Sequence, residues 1–210
     1  MKTIKTLFPF FAILLAVGLL SCKKNDNNPS NPGQSNGFPF LKQGNEWIYD
    51  YKAVDAESIV KYKILSKEAN GYYKVNWFMG ADFEIYWHEA NGAFSNFTDG
   101  PSGTMKFLLC KTNSKPGDSW GETAFDDTYE KTVTVTNKVM AIDAFASTPA
   151  GNFTNCIKVR QTNSAYTEYF FDYYISPVYG IVKMEGMGYK NEDGEITHFP
   201  LSYILKSKNF

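Results

Sequence analysis

The sequence is poor in the residues that usually build a chemical centre. Its 210 residues include two histidines, three cysteines and one arginine, Arg160. Metal sites need clustered His, Cys or carboxylate ligands, and neither His88 nor His198 has such neighbours at ligand spacing. Scarce arginine also weakens the case for phosphate or carboxylate ligands, which arginine usually binds in a bidentate manner. The sequence therefore identifies no catalytic residue, metal site or cofactor, and it favours a protein without enzymatic activity.

The chain also lacks an excess of positive charge. Its formal net charge is −1, and no stretch concentrates lysines on one predicted face. Proteins that bind nucleic acid carry a basic patch that neutralises phosphates. We therefore expect no nucleic-acid partner.

No apolar run is long enough to span a membrane as a helix. The longest, Leu7–Leu20, has about 14 residues, whereas a spanning helix needs roughly 20. It follows two lysines and ends at Leu19-Leu20-Ser21-Cys22, an order that matches a bacterial lipobox. The pattern predicts a lipoprotein signal peptide over residues 1–21, with cleavage before Cys22.

Cys22 is then the predicted site of lipid attachment, and several acyl chains on one residue anchor a protein stably. Residues 22–37 are rich in Asn, Pro, Gly and Ser, which predicts a flexible tether after the lipidated cysteine. The residue directly after the lipidated cysteine is Lys23. In some bacteria an Asp at this position retains a lipoprotein in the inner membrane, so the lysine favours the outer membrane. The domain would then face the periplasm or the cell surface. Residues 38–210 remain as one β-rich domain.

The sequence does contain many aromatic residues, with 17 Phe, 14 Tyr and 4 Trp. They recur with period two in nearly every segment, as in Glu46–Lys52, which is typical of β-strands. Turn signals such as Asn91-Gly92 and Lys115–Asp118 separate ten to twelve such runs. We predict an all-β fold, an antiparallel meander forming a strongly curved sheet, half-barrel or sandwich. Only Ala141–Thr148 has weak helical character.

Two segments repeat one short pattern. Lys42–Trp47 and Lys115–Trp120 both read K-x-G-[N/D]-x-W, a glycine turn that leads a Trp into a strand. The repeat indicates either one strand-entry device used twice or a duplicated half-domain.

The two remaining cysteines, Cys110 and Cys156, lie in apolar strand-like runs. An exported protein meets an oxidising compartment, so they either form a disulfide or remain buried thiols. Their spacing leaves both states open.

The order of "GNEWIYDY", "KPGDSW", "STPAGNFTNCIKV" and "SPVYGIVKMEG" resembles a group of bacterial lipoproteins without established activity. Members of that group carry G-[N/D]-x-W-x-Y, then P-A-G-x-F, then Y-G-x-V-K. The resemblance covers most of residues 40–186. It implies an exported all-β domain, and its short motifs have structural rather than catalytic roles.

The stretch 166–180 is aromatic on both faces of its predicted strand. Tyr169, Phe171 and Tyr173 share one face, while Phe170 and Tyr174 share the other with Asp172. Such a strand either belongs to a thick core or lines a cavity for an apolar or sugar-like ligand, oriented by hydroxyl groups. The predicted ligand-binding residues are Tyr169, Tyr173, Trp87 and Trp77.

These observations favour a lipid-anchored envelope module that binds a lipid, a glycan or another envelope protein. An alternative is an envelope glycan hydrolase, whose two carboxylates would come from separate strands. A third is a structural component of a surface assembly, which would present a flat exposed apolar patch.

The lipobox gives a direct prediction. Cys22→Ala removes the thiol that would carry the lipid, so labelling of the protein with a fatty-acid probe in cells should disappear. A mutant that still incorporates the probe would show that Cys22 is not the attachment site.

Overall fold

The computed structural model describes residues 38–69, 71–100, 103–126, 131–192 and 195–210. Cys22 and the predicted tether lie outside them. All regular structure within these ranges is β-strand, and none of it is a helix that could cross a membrane. The strands are β1 Glu46–Ala53, β2 Ala56–Lys67, β3 Tyr72–Phe78, β4 Asp82–Ala90, β5 Ala93–Gly100, β6 Gly103–Lys111, β7 Ser119–Asp126, β8 Lys131–Thr148, β9 Gly151–Asn163, β10 Tyr166–Ser176, β11 Gly180–Glu192 and β12 Glu195–Lys208.

The twelve strands form a single antiparallel sheet that curves into a nearly closed, barrel-like shape. Its order is β6-β5-β4-β3-β2-β1-β12-β11-β10-β9-β8-β7. Consecutive strands pair with each other except β6 and β7, which are the two edges, and the first strand pairs with the last from Trp47↔Lys208 to Ala53↔Leu201. The predicted all-β, antiparallel and strongly curved fold is confirmed.

The strands form where the sequence alternates, because alternate side chains point to opposite faces of a strand. In β1, Trp47, Tyr49 and Tyr51 are buried, while Ile48 and Asp50 between them are partly exposed. The Asn91-Gly92 turn joins β4 to β5 with positive φ at both residues, as a type I′ hairpin requires. The hydrophobic core therefore fills the inside of the curved sheet.

The weak helical expectation for Ala141–Thr148 was wrong, because this segment is the second half of β8. Its pairing with β9 shifts register three times, between Val139 and Ala146. At the first two shifts β8 has one residue more than β9, and each extra residue breaks the period-two alternation of side chains in β8, whereas at the third shift the extra residue lies on β9. Without regular alternation, the sequence of this segment did not indicate a strand.

The two K-x-G-[N/D]-x-W segments adopt the same structure. Gly44 and Gly117 have φ of 89° and 93°. Gly44 N donates to the carbonyl of Ile64 in β2 at 2.9 Å, and Gly117 N donates to that of Val139 in β8 at 2.8 Å. One segment precedes β1 and the other precedes β7, so each opens a run of six strands. The two segments thus use the same strand-entry device at the start of β1 and of β7.

The sheet is closed at the β6–β7 seam by side chains, since no backbone ladder joins these two strands. Leu108 N in β6 donates to Glu122 Oε1 of β7 at 2.7 Å. The Leu108 carbonyl accepts from Trp120 Nε1 and, at 3.1 Å, from Asn137 Nδ2. Three side chains thus satisfy the backbone of one edge residue and hold the two edges together.

The seam gives a stability prediction. Glu122→Ala leaves the Leu108 N–H without its acceptor, which should lower the free energy of unfolding by about 1–3 kcal/mol. Glu122→Gln keeps a side-chain oxygen and should lose less, which urea denaturation of the three proteins would measure. Equal losses in the two variants would contradict this account of the seam.

Candidate functional site

The face of β10 that contains Tyr169, Phe171 and Tyr173 points into the interior of the curved sheet. Tyr169, Phe171 and Tyr173 are 7%, 1% and 0% exposed, and they pack inside the sheet. Tyr169 stacks on Phe171, whose ring lies 6.3 Å from that of Tyr203 in β12. The three aromatic residues therefore belong to the core on the β9–β12 side of the interior.

Trp87 and Trp77 lie on the other side of the interior. Both stack on Tyr62 of β2, with ring centroids 5.9 and 6.3 Å away. Trp87 also meets Trp47 edge to face at 5.3 Å. The four predicted ligand-binding residues thus form two aromatic groups, one around Tyr62 and one around Phe171, and their role in ligand binding stays a prediction.

Tyr203 links these two groups, and the sequence did not single it out. Burial raises the pKa of its hydroxyl well above the ordinary value, and the neighbouring hydroxyls raise it further. The hydroxyls concerned are those of Tyr62, Tyr51, Tyr173 and Tyr169. These groups come from β1, β2, β10 and β12, and their convergence depends on the pairing of strands far apart in sequence.

Some of the interior hydroxyls have hydrogen-bond partners. Tyr49 donates to the Ile181 carbonyl at 2.8 Å, and Tyr173 donates to Gln161 Oε1 at 3.3 Å. Gln161 Nε2 then donates to Asn137 Oδ1 at 3.1 Å, which connects the interior to the seam. Among the described residues, the buried hydroxyls of Tyr62 and Tyr203 have no hydrogen-bond partner. The centre of the interior therefore contains two hydroxyl groups whose hydrogen-bonding capacity is unused.

A groove lies on the outer face of the same strands. It has a volume of about 670 Å³ and is open to solvent along its length. Its lining residues come from β1, the turn after it, and β9 to β12: Lys52, Ala53, Val54, Arg160, Phe170, Asp172, Glu185, Gly186, Met187, Pro200, Leu201 and Ser202. The alternation of residues predicted that Phe170 and Asp172 share the face opposite Tyr169 and Tyr173, but the groove itself was not predicted.

An ion cluster around Asp172 forms one wall of the groove. Arg160 binds the carboxylate in a bidentate manner, at 2.7 Å from Nε and 2.8 Å from Nη2, and Lys158 lies 2.8 Å away. Burial raises the pKa of Asp172, but the hydrogen bonds and charges of Arg160 and Lys158 outweigh it, so that the pKa is lowered. The only arginine of the chain is thus held in one orientation at the groove.

Long cationic side chains also cover the outer aromatic residues of β10. The Arg160 guanidinium lies 4.5 Å from the centroid of the Phe170 ring, and Lys158 and Lys183 lie 4.9 and 5.1 Å from that of Tyr174. A cation is attracted to the face of an aromatic ring, and the methylene groups of Lys and Arg side chains shield apolar surface from water. The strand is aromatic on both faces because its inner face fills the core and its outer face is covered by cations.

Gly186 forms part of the groove floor, and no other residue fits there. A Cβ at this position would lie 2.1 Å from the Phe170 carbonyl oxygen and 2.9 Å from Phe171 Cα. Both atoms belong to the backbone of β10, which cannot move without breaking the β10–β11 pairing. The close approach of β10 and β11 at this point therefore requires glycine at position 186.

The described residues include no group of three or more His, Cys, Asp or Glu that could hold a metal ion. His88 stacks on Tyr72, and His198 Nδ1 lies 3.5 Å from Glu168 Oε2. Cys110 and Cys156 are buried free thiols, so the structure has the unpaired state of the two that the sequence left open. Burial raises the pKa of Cys156 to about 12, which makes it an inert thiol at neutral pH.

No protein-family model matches the chain, and no curated protein matches it. Among solved structures, the fold is similar to a crystal structure described as a "putative lipoprotein from Parabacteroides distasonis". The match covers 82% of this chain and 98% of the other, with 12% sequence identity and a TM-score of 0.53. At this identity the likeness concerns the fold alone.

The interior hydroxyls give a matched pair of predictions. Tyr203→Phe removes a hydroxyl without a partner, so the free energy of unfolding should stay the same or rise. Tyr49→Phe removes the bond to Ile181 and should cost about 0.5–1.5 kcal/mol. Chemical denaturation measures both. If Tyr203→Phe costs as much as Tyr49→Phe, the Tyr203 hydroxyl has a hydrogen-bond partner in the folded protein, which would contradict this account of the interior.

The Asp172 cluster predicts a pH dependence. Asp172→Asn should lower the free energy of unfolding by about 1–3 kcal/mol at neutral pH, because hydrogen bonds to a charged group are lost. The pKa of Asp172 is lower folded than unfolded, so its contribution is full above the unfolded value of about 3.9 and fades below it. The difference between wild type and variant should therefore shrink as pH falls below about 4.

The control for this experiment is Asp143→Asn, which changes an exposed carboxylate of β8. It should leave stability nearly unchanged at both neutral and acid pH. A constant difference between wild type and Asp172→Asn across the acid range would contradict the ion-pair account.

Proposed function

We propose that this protein is a lipid-anchored binding module of the bacterial cell envelope, and that it acts without catalysing a reaction. The anchor is Cys22, the tether is residues 23–37, and the domain that follows carries the ligand site. Support for the anchor comes from the lipobox and from the fold shared with a protein described as a lipoprotein. The proposed location is the outer membrane, with the domain facing the periplasm or the cell surface.

The observation that carries the binding role is the outer groove. Ligand sites are concave, largely apolar and equipped with a few oriented polar groups. The groove has this composition, with Met187, Pro200 and Val54 beside the fixed Arg160–Asp172 pair. Its ligand is proposed to be apolar or a glycan, because both present C–H surface to such residues.

A glycan hydrolase is the second candidate, and the position of two carboxylates favours it. Asp172 of β10 and Glu185 of β11 are directly opposite each other in register and both line the groove. A hydrolase needs one of its two carboxyl groups protonated as a general acid, through a raised pKa. The pKa of Asp172 is lowered instead, and its carboxylate is occupied by Arg160 and Lys158. This electrostatic arrangement favours binding over hydrolysis.

The proposed function is tested by blocking the groove. Ser202 lies in the groove on β12, whereas Ser207 lies on the same strand outside the groove lining. Melting temperatures of wild type, Ser202→Trp and Ser207→Trp are measured with and without an envelope lipid extract and an envelope glycan extract. Ligand binding to the folded state raises the melting temperature by mass action.

The expected result is a rise with one of the extracts in wild type and in Ser207→Trp, and no rise in Ser202→Trp. The absence of any shift in wild type would contradict the binding role. A shift that persists in Ser202→Trp would place the ligand elsewhere on the molecule.

A further inference from the structure

We infer that the outer groove binds a short, uncharged oligosaccharide that lies across the strands. This inference rests on the proposed function, since it names the ligand class of the same site. Its support is the shape of the groove, the contrast between its two walls, the balance of its charges and the rigidity of its polar groups.

The direction of the groove follows from strand register. One row of paired residues crosses β9, β10, β11, β12 and β1 through Arg160, Asp172, Glu185, Ser202 and Lys52. All five residues line the groove. The groove is therefore perpendicular to the strands, and it is roughly 19 Å long because neighbouring strands lie about 4.8 Å apart. An elongated ligand fits this length better than a compact one.

The second wall of the groove is apolar. Two positions further along each strand, where side chains point to the same face, the neighbouring row contains Phe170, Met187, Pro200 and Val54. The ligand would thus contact charged and hydroxyl groups along one side and apolar groups along the other. A pyranose ring has this character, since hydroxyl groups surround its edge and C–H groups cover its faces. An acyl chain would have to lie against five polar side chains without hydrogen bonds.

The charges of the groove balance. Arg160 and Lys52 are cations, while Asp172 and Glu185 are carboxylates, so the lining has no net formal charge. The two carboxylates also form ion pairs with Lys158 and Lys183, so an anionic headgroup or phosphate polymer would have to compete with Asp172 and Glu185 for these cations. Sugar hydroxyls both donate and accept hydrogen bonds, whereas carboxylates only accept and cationic groups only donate. The row contains donors at both ends, two carboxylates between them and the Ser202 hydroxyl, so it offers both kinds of partner to a neutral polyhydroxylated ligand.

The polar groups are already fixed in the free protein. Arg160 is held by Asp172 on one side and by the Phe170 ring on the other. Glu185 is held by Lys183 at 2.6 Å and by the Tyr174 hydroxyl at 2.9 Å. Binding then orders few additional side chains, which lowers its entropic cost. This preorganisation suits a ligand whose individual hydrogen bonds are weak.

The test is calorimetric titration of the full chain with defined probes. The neutral probes are maltohexaose, cellohexaose, xylohexaose, chitohexaose and the neutral glycan fraction of the cell envelope. The charged probes are an oligogalacturonate hexamer and vesicles of phosphatidylglycerol. Each probe is titrated into wild type, Ser202→Trp and the control Ser207→Trp, with circular dichroism to verify that all three are folded.

The inference predicts that at least one neutral probe binds wild type and Ser207→Trp, with at least tenfold weaker binding to Ser202→Trp. If only the oligogalacturonate or the vesicles bind, and Ser202→Trp abolishes that binding, the neutral-glycan inference is wrong while the binding function stands. If no probe and neither envelope extract binds wild type, both the inference and the proposed function fail. Neutral-glycan binding that Ser202→Trp leaves intact would overturn the assignment of the groove.

Discussion

The pairing of the first strand with the last is the interaction on which the rest of the structure depends. It joins residues at opposite ends of the domain, from Trp47↔Lys208 to Ala53↔Leu201, and so connects two runs of six strands. The inward residues of this pair bring Tyr51 within 4.9 Å of Tyr203, ring to ring. The outward residues place Lys52 beside Ser202. The hydroxyl cluster of the interior and the end of the groove are therefore both products of one ladder.

The two faces of β10 have different roles, since the inner face packs in the core and the outer face lines the proposed ligand site. Tyr169, Phe171 and Tyr173 fill the interior with buried aromatic rings, while Asp172 on the other face forms ion pairs with Lys158 and Arg160. This division explains why one strand is aromatic throughout. Interior rings supply buried apolar area, and exterior rings lie under the charged ends of Arg160 and Lys183. The proposed ligand site uses the exterior, where Arg160 and Glu185 are held by ion pairs and remain partly exposed to solvent.

The strands were predictable because their signal is local, as the buried Trp47, Tyr49 and Tyr51 illustrate. The turn at Asn91-Gly92 was predictable for the same reason, since its φ values depend on two adjacent residues. The second half of β8 could not be predicted from the sequence, because its register shifts break the alternation of buried and exposed residues.

Tyr203, Gly186 and the Arg160–Asp172 pair were missed because each depends on which residues face each other across strands. The register between strands depends on the whole sheet, so the sequence of a single segment does not determine it. The inward position of Tyr169 and Tyr173 could be read from alternation alone, whereas their neighbours in space could not.

The central claim, that the β1–β12 ladder holds the domain together, is tested most directly by native-state hydrogen exchange. Amides in the most protected parts of a protein exchange only through global unfolding. The account predicts that the ladder amides of Tyr51 and Tyr203 exchange with the free energy of global unfolding, as do those of Val159 in β9 and Val75 in β3. Exchange of Tyr51 and Tyr203 through a lower-energy opening, with β3 and β9 still protected, would show that each half is stable without the ladder and would contradict the claim.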